Sequence, residues 1–311
     1  MMKTEPLSGV FAPVLTPFKK DLAIDRKAYL QFCKWLRANE VGLAVFGTNS
    51  EANSLSVAER IELLGYLVSN GIPGSSLMPG TGACAIPDSV VLTQAALDAG
   101  SSAVLMVPPF FYKNVSEDGV FASHAEVIER IGNPRLKICL YNIPKLSGVA
   151  ITLPLIKRLV ARYPETVVGL KDSSGDTAYT SSVMQALPAL RVFCASESLL
   201  LETMRNGGAG CISACANFNP AAIVRLHENW QGPDAEGLQK AVNPVRGIIE
   251  SRPMIAALKA GTAAHGRYAS FATVRPPLTG LNGEETKALL SALGEAGFAM
   301  NGLREHLAAA A

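Results

Sequence analysis

Lys171 closes the apolar run Val167-Val168-Gly169-Leu170. A lysine in that position has its stem beside a dry core, where an amine is well placed to attack a carbonyl carbon. The competing interpretation is a lysine whose stem snorkels to the rim; position alone does not separate the two. Tyr141 ends the preceding apolar run, 137–141. A phenol at that level is suited to moving protons to and from a carbonyl oxygen and an attacking amine. Its alternative is an aromatic plug at the mouth of the fold. The turn Gly47-Thr48-Asn49-Ser50-Glu51 offers backbone N–H groups and two short polar side chains, a combination that holds carboxylates but also occurs in ordinary connecting loops. Lysine and tyrosine on neighbouring strands at one level carry more weight together than apart.

Such a set needs a scaffold that gathers the ends of several strands. Short runs rich in Val, Ile and Leu recur at residues 10–15, 42–46, 76–80, 103–107, 137–141, 167–171, 191–195 and 210–213. Continuous apolar runs of this kind suit parallel strands covered on both faces. Helical patterns lie between them. Tyr29, Phe32, Cys33 and Leu36 build one apolar face behind the candidate N-cap Asp25. Ser56 and Glu59 fit a capping box ahead of Ile61, Leu63 and Leu64. Gly100 and Gly207 stand where helices stop, and Thr152, Asp176 and Ser196 are candidate caps. Eight β-then-α units predict an α/β fold of the (β/α)8 TIM barrel type. An open doubly wound sheet is the alternative, but its GxGxxG fingerprint is absent after the first strand. Residues 1–234 are assigned to the barrel. Residues 235–311 carry helical patterns without a clear strand and are read as a helical extension packed on it.

A barrel works at the C-terminal ends of its strands, which is where Lys171, Tyr141 and the 47–51 turn fall. Composition removes several other classes. The chain has 311 residues, 49% hydrophobic and 17% charged, with a formal net charge of +2. It has neither the polarity of a disordered chain nor the basic footprint of a nucleic-acid binder. Six cysteines lie mostly in apolar runs without a CxxC pair, and the four histidines do not join them. They read as small buried hydrophobes in a reducing compartment. No apolar segment has the length of a membrane span, and the N-terminus lacks a secretory pattern, so a cytoplasmic location is expected.

In combination and order, four motifs resemble the dihydrodipicolinate synthase/N-acetylneuraminate lyase superfamily of class I, Schiff-base aldolases. They are the GTxxE-type turn at 47–51, the Pro108-Pro-Phe-Phe-Tyr-Lys113 stretch, Tyr141-Asn-Ile-Pro144 followed by Ser147-Gly148, and Gly169-Leu-Lys-Asp-Ser-Ser174. The resemblance implies that Lys171 forms an imine with pyruvate or another 2-oxo acid. It implies that Tyr141 is the general acid/base and that Thr48 relays protons. It places the substrate carboxylate at Thr48 and Asn49 and gives Ile212 a place in the pyruvate pocket. It implies no metal, no organic cofactor and a homo-oligomer, dimer or tetramer. Two departures point away from a true dihydrodipicolinate synthase. Leu146 stands where the synthases carry an arginine for a second carboxylate, with Lys145 beside it expected to point elsewhere. The turn reads Thr-Asn-Ser where they prefer Thr-Thr-Gly. A second relay tyrosine, delivered across a dimer interface, aligns with either Phe111 or Tyr112.

The function expected is therefore a lyase or aldolase on a 2-oxo acid, with a pyruvate-type donor and an aldehyde partner. The same imine also supports a 2-oxo-3-deoxy sugar acid dehydratase or a synthase-like condensation. Beyond enzymes, a non-catalytic 2-oxo-acid-binding protein fits the same barrel. A metal-dependent barrel would have to draw on Glu51, Asp172 and Glu197, the carboxylates near strand ends. The expected partners are small molecules, with no nucleic acid and no membrane.

Overall fold

A computed structural model describes residues 7–310. Among the described residues, seven strands form one all-parallel sheet: β1 (Gly9–Ala12), β2 (Gly42–Leu43), β3 (Val104–Met106), β4 (Ile138–Asn142), β5 (Val167–Asp172), β6 (Arg191–Cys194) and β7 (Gly210–Ile212). Their order is β2-β1-β7-β6-β5-β4-β3. The gap between β2 and β3 is filled by the segment 77–81, through single parallel bridges Leu43–Leu77 and Gly80–Leu105. The fold is thus the closed (β/α)8 barrel expected. One of the eight expected strands, 76–80, is reduced to a stave with isolated bridges. Pro79 in its centre has no N–H to donate. A side chain at Gly80 would strike the Phe46 carbonyl oxygen, 2.2 Å from an ideal Cβ. The expected strand 42–46 keeps regular pairing only through Leu43, because Phe46 turns into the left-handed region at φ 61°.

The helices are α1 (Arg26–Ala38), α2 (Val57–Ser69), α3 (Ile86–Asp98), α4 (Glu117–Ile131), α5 (Pro144–Ser147), α6 (Leu153–Arg162), α7 (Thr177–Ala186), α8 (Leu200–Arg205) and α9 (Pro220–Glu228), followed by α10 (Ala235–Glu250), α11 (Met254–Gly266), α12 (Gly283–Glu295) and α13 (Leu303–Ala308). The caps form as expected. Asp25 accepts from the Ala28 N–H, Thr152 from Leu155 and Asp176 from Tyr179, and Ser56 and Glu59 make a reciprocal box.

Side chains alternate across each strand. Phe11, Leu105, Cys139, Tyr141, Phe193 and Ile212 therefore share the barrel interior, with Phe11 and Phe193 edge to face at 5.8 Å. Leu140, Leu170 and Val192 face the helices in a separate cluster. All six cysteines are free, and five are buried. Burial pushes the Cys139 and Cys194 thiols up to about 12, so they act as packing groups.

Residues beyond α11 touch earlier parts of the chain. Phe298 stacks on Phe218 with centroids 4.6 Å apart, and the Trp35 indole N–H donates to the Asn301 carbonyl at 2.9 Å. Arg275 reaches back to α2, where its guanidinium binds Glu59 and holds that carboxyl down to about 2, against 4.5 for a free glutamate. A depressed carboxyl contributes stability that is present above pH 4.5 and lost as the pH falls towards 2. Glu59→Gln is expected to flatten that acid limb relative to wild type. Urea unfolding midpoints measured from pH 5 down to about 2 check it; parallel curves for the two proteins would contradict it. No helix among the described residues is long and apolar enough to cross a membrane.

Candidate active site

Strands β4 and β5 pair in register, Tyr141 opposite Lys171. Equal register and equal facing place both side chains inside the barrel at one level. Lys171 is 3% exposed and Tyr141 5%. The Lys171 Nζ lies over the Tyr141 ring, 4.2 Å from its centroid. Below the lysine, Gly169 leaves no room for a side chain: an ideal Cβ there would lie 2.9 Å from the Arg191 carbonyl oxygen and 3.2 Å from the Cys139 sulfur. The lysine stem thus rises from a closely packed layer, its amine next to the phenol.

Across the barrel mouth, Thr48 opens a short 3-10 turn, Thr48–Ser50. Its Oγ1 shares a hydrogen bond of 3.2 Å with the Tyr141 hydroxyl. Thr48, Asn49, Tyr141, Lys171 and Ile212 all line one cavity of about 820 Å³ at the C-terminal ends of the strands. Five of the residues singled out in the sequence are thereby brought together.

The 47–51 turn is held from beneath. Glu51, buried and left-handed at φ 58°, receives the Lys259 ammonium and the Arg275 backbone N–H, the latter at 2.9 Å. Lys259 also donates to the Thr16 carbonyl at 2.8 Å, and the Thr16 hydroxyl donates to the Ser50 carbonyl at 2.7 Å. Burial pushes the Lys259 amine down to about 8, and the Glu51 carboxylate beside it works in the opposite direction. Sequence reasoning missed Lys259. Its signal is a single lysine inside the apolar run from Ile255 to Ala264, since a buried charge requires a partner.

Asp172 follows the lysine but faces a different set of groups. Its carboxylate accepts from Asn142 Nδ2 at 2.8 Å, Ser174 Oγ at 2.8 Å, Ser174 N at 3.2 Å and Thr180 Oγ1 at 2.7 Å. It clamps the β5–α7 turn. Glu197 accepts from the Ser213 hydroxyl and, at 3.5 Å, from Arg246. The three strand-end carboxylates are thus engaged separately, and among the described residues no group of three or more His, Cys, Asp or Glu side chains forms a metal site.

The distal residues require one correction. Leu146 lines the cavity. Lys145, expected to point elsewhere, lines it too: its Nζ comes within 3.4 Å of where a Gly175 Cβ would sit. The four-residue helix α5 turns both side chains towards the opening, and the absence of a side chain at Gly175 leaves the space that the lysine tip approaches. Phe111 and Tyr112 do not join the cavity. Both are 73% exposed, stacked edge to face on one another at 5.4 Å. Behind Tyr141 and Thr48 lies a second, smaller chamber of about 90 Å³, bordered by Phe110, Val107 and Leu146. Sequence reasoning also missed Arg246 and Glu250, which α10 contributes to the main cavity wall.

The sequence profile of the dihydrodipicolinate synthetase family matches residues 6–296. An uncharacterized DapA-like lyase of Chloroflexus aurantiacus is 32% identical over 287 residues, 91% of this chain and 95% of that one. Dihydrodipicolinate synthase from Agrobacterium tumefaciens superposes with a TM-score of 0.87, at 28% identity, over 93% of this chain and 99% of its own. YagE, a prophage protein of the dihydrodipicolinic acid synthase family from E. coli K12 in complex with pyruvate, superposes with a TM-score of 0.85, at 26% identity, over 94% and 99%.

Proposed function

We propose, from the premise that this chain belongs to the dihydrodipicolinate synthetase family and is an enzyme of its lyase/aldolase class, that it cleaves or forms a carbon–carbon bond next to a pyruvate-type 2-oxo acid through an imine on Lys171. The observation that carries this reading is the buried Lys171 amine 4.2 Å from the Tyr141 ring centroid, with the phenol hydrogen-bonded to Thr48 at the mouth of a large cavity. That the similar YagE structure contains pyruvate supports the choice of donor.

In the cleavage direction, the Lys171 amine adds to the C2 carbonyl and water leaves, giving the imine. The C3–C4 bond then breaks and its electron pair moves into the imine system, forming an enamine while the C4 hydroxyl loses its proton and becomes an aldehyde. Protonation at C3 and hydrolysis release pyruvate and restore the lysine. Tyr141 carries the protons, and Thr48 fixes the orientation of its hydroxyl. The substrate carboxylate is assigned to Thr48 and Asn49, with Ile212 as the apolar wall beside C3.

Reduction with borohydride in the presence of pyruvate, followed by peptide mass spectrometry, tests this. A reduced pyruvyl adduct on Lys171 is the expected result. No adduct with pyruvate or longer 2-oxo acids on folded protein would overturn it in favour of a binding protein. Thr48→Val, which removes one hydrogen bond from the phenol, is expected to lower the rate of adduct formation about tenfold. A rate equal to wild type would remove Thr48 from the relay.

The exposed pair Phe111 and Tyr112, which follows Phe110 of the small chamber in sequence, supports assembly with a second copy that brings one of these rings to that chamber. We propose the unit after residue 234 as a wall of the site rather than a separate module, because α10 and α11 line the cavity.

A further inference from the structure

The main cavity, about 820 Å³, extends far beyond the volume of a three-carbon acid. Arg246 contributes to its wall. Glu250 grips the guanidinium with two hydrogen bonds, Nε to Oε2 at 3.2 Å and Nη2 to Oε1 at 3.1 Å. The Nη1 lies 3.5 Å from Glu197 Oε2. The arginine side chain is only 10% exposed, and Glu197 is 1% exposed with its second oxygen buried and without a partner. Helix α10 is fixed against the end of β6 by Gln239, which donates to the Glu197 carbonyl at 2.9 Å and accepts from the Leu201 N–H at 3.0 Å. The guanidinium is therefore presented rigidly.

The Arg246 guanidinium thus faces two carboxylates, and Lys145, on the same cavity wall, has its charge within reach of Glu250. A substrate carboxylate entering this end would have to displace Glu250 or approach Glu197, against like charge. A hydroxyl group meets no such opposition, since it accepts from a guanidinium N–H and donates to a carboxylate at once. Ser173, Thr180 and Ser196 add further hydroxyls along the same cavity. We propose that Arg246, held by Glu250, is the specificity-determining residue for the aldehyde half of the substrate, and that this half is a neutral, polyhydroxylated chain. The substrate class is then a 2-oxo-3-deoxy sugar acid rather than a 2-oxo dicarboxylate. This rests on the imine reading for Lys171, which places the 2-oxo carbonyl at that lysine on the wall of the same cavity.

The test compares three substrates by pyruvate release: a six-carbon 2-oxo-3-deoxy sugar acid, the dicarboxylate 4-hydroxy-2-oxoglutarate, and 4-hydroxy-2-oxobutanoate, which lacks the chain. Wild type is expected to favour the sugar acid over both. Arg246→Gln is expected to lower the ratio of kcat/KM for sugar acid over 4-hydroxy-2-oxobutanoate by about tenfold to about hundredfold, the size of a lost charged hydrogen bond. Arg246→Lys is expected to restore part of it. Glu250→Gln, at a more exposed position, is expected to shift the ratio in the same direction and serves if Arg246→Gln does not fold. An unchanged ratio in these variants, or a wild-type preference for the dicarboxylate, overturns the proposal. If wild type forms no borohydride adduct with any of the three, the imine reading falls on its own. Calorimetric titration of the sugar acid then decides the subsite: binding at least about tenfold weaker in Arg246→Gln supports it, and equal binding overturns it.

Discussion

Lys171→Ala is expected to lose the pyruvyl adduct completely and to lower pyruvate-forming turnover by at least about a thousandfold, because Lys171 supplies the buried amine beside the Tyr141 phenol. The neighbouring cations are positioned for other work. Lys259 is sealed beneath the turn on Glu51, and Lys145 sits at the rim. Lys171→Arg separates two roles for the lysine. If it served only as a positive charge facing a carboxylate, arginine would preserve much of the activity. A guanidinium remains protonated and cannot form the imine, so this variant is expected to be as inactive as alanine. The measurement is steady-state pyruvate release coupled with mass spectrometry of the borohydride-treated protein. Turnover in Lys171→Arg within tenfold of wild type would rule out covalent catalysis at this residue.

Lys259→Met is expected to destabilise the fold by about 3–5 kcal/mol, since it leaves the Glu51 carboxylate buried without its countercharge. The pair is 0% exposed on both side chains. Glu51 would retain only the Arg275 backbone N–H. Because Glu51 ends the turn that carries Thr48 and Asn49, the variant should also raise KM for the 2-oxo acid. The double variant Glu51→Gln/Lys259→Met removes the stranded charge. It is expected to recover most of the stability lost in the single variant, as apolar or neutral replacement of a whole buried pair often does. Urea denaturation of the wild type, both single variants and the double variant forms the cycle. Additive losses in the double variant would show that the two residues do not act as a pair.

The register that joins lysine to tyrosine was legible because it depends on local rules. Apolar runs of similar length, each ending in a polar residue, place Tyr141 and Lys171 at corresponding strand ends, and side-chain alternation keeps both inside. The caps at Asp25, Ser56, Thr152 and Asp176 were legible for the same reason: each bonds a backbone group only three residues away. The strand at 76–80 was legible as a segment but not in its irregular pairing. That follows from Pro79 and from the close approach of Gly80 to the Phe46 backbone, a neighbour distant in sequence.

By itself, then, the sequence determined the barrel and which residues stand at the C-terminal ends of its strands, since hydrophobic periodicity and capping act over a few residues. The tertiary structure decided what surrounds them. It alone brings Lys259 under the 47–51 turn, Arg246 and Glu250 into the cavity wall, and Lys145 towards Gly175, while leaving Phe111 and Tyr112 outside the cavity. Long charged side chains have many rotamers of similar energy along an isolated chain. Their direction is chosen by burial and by a partner from another part of the chain, so it emerges only when the helices after the barrel are packed against the strand ends.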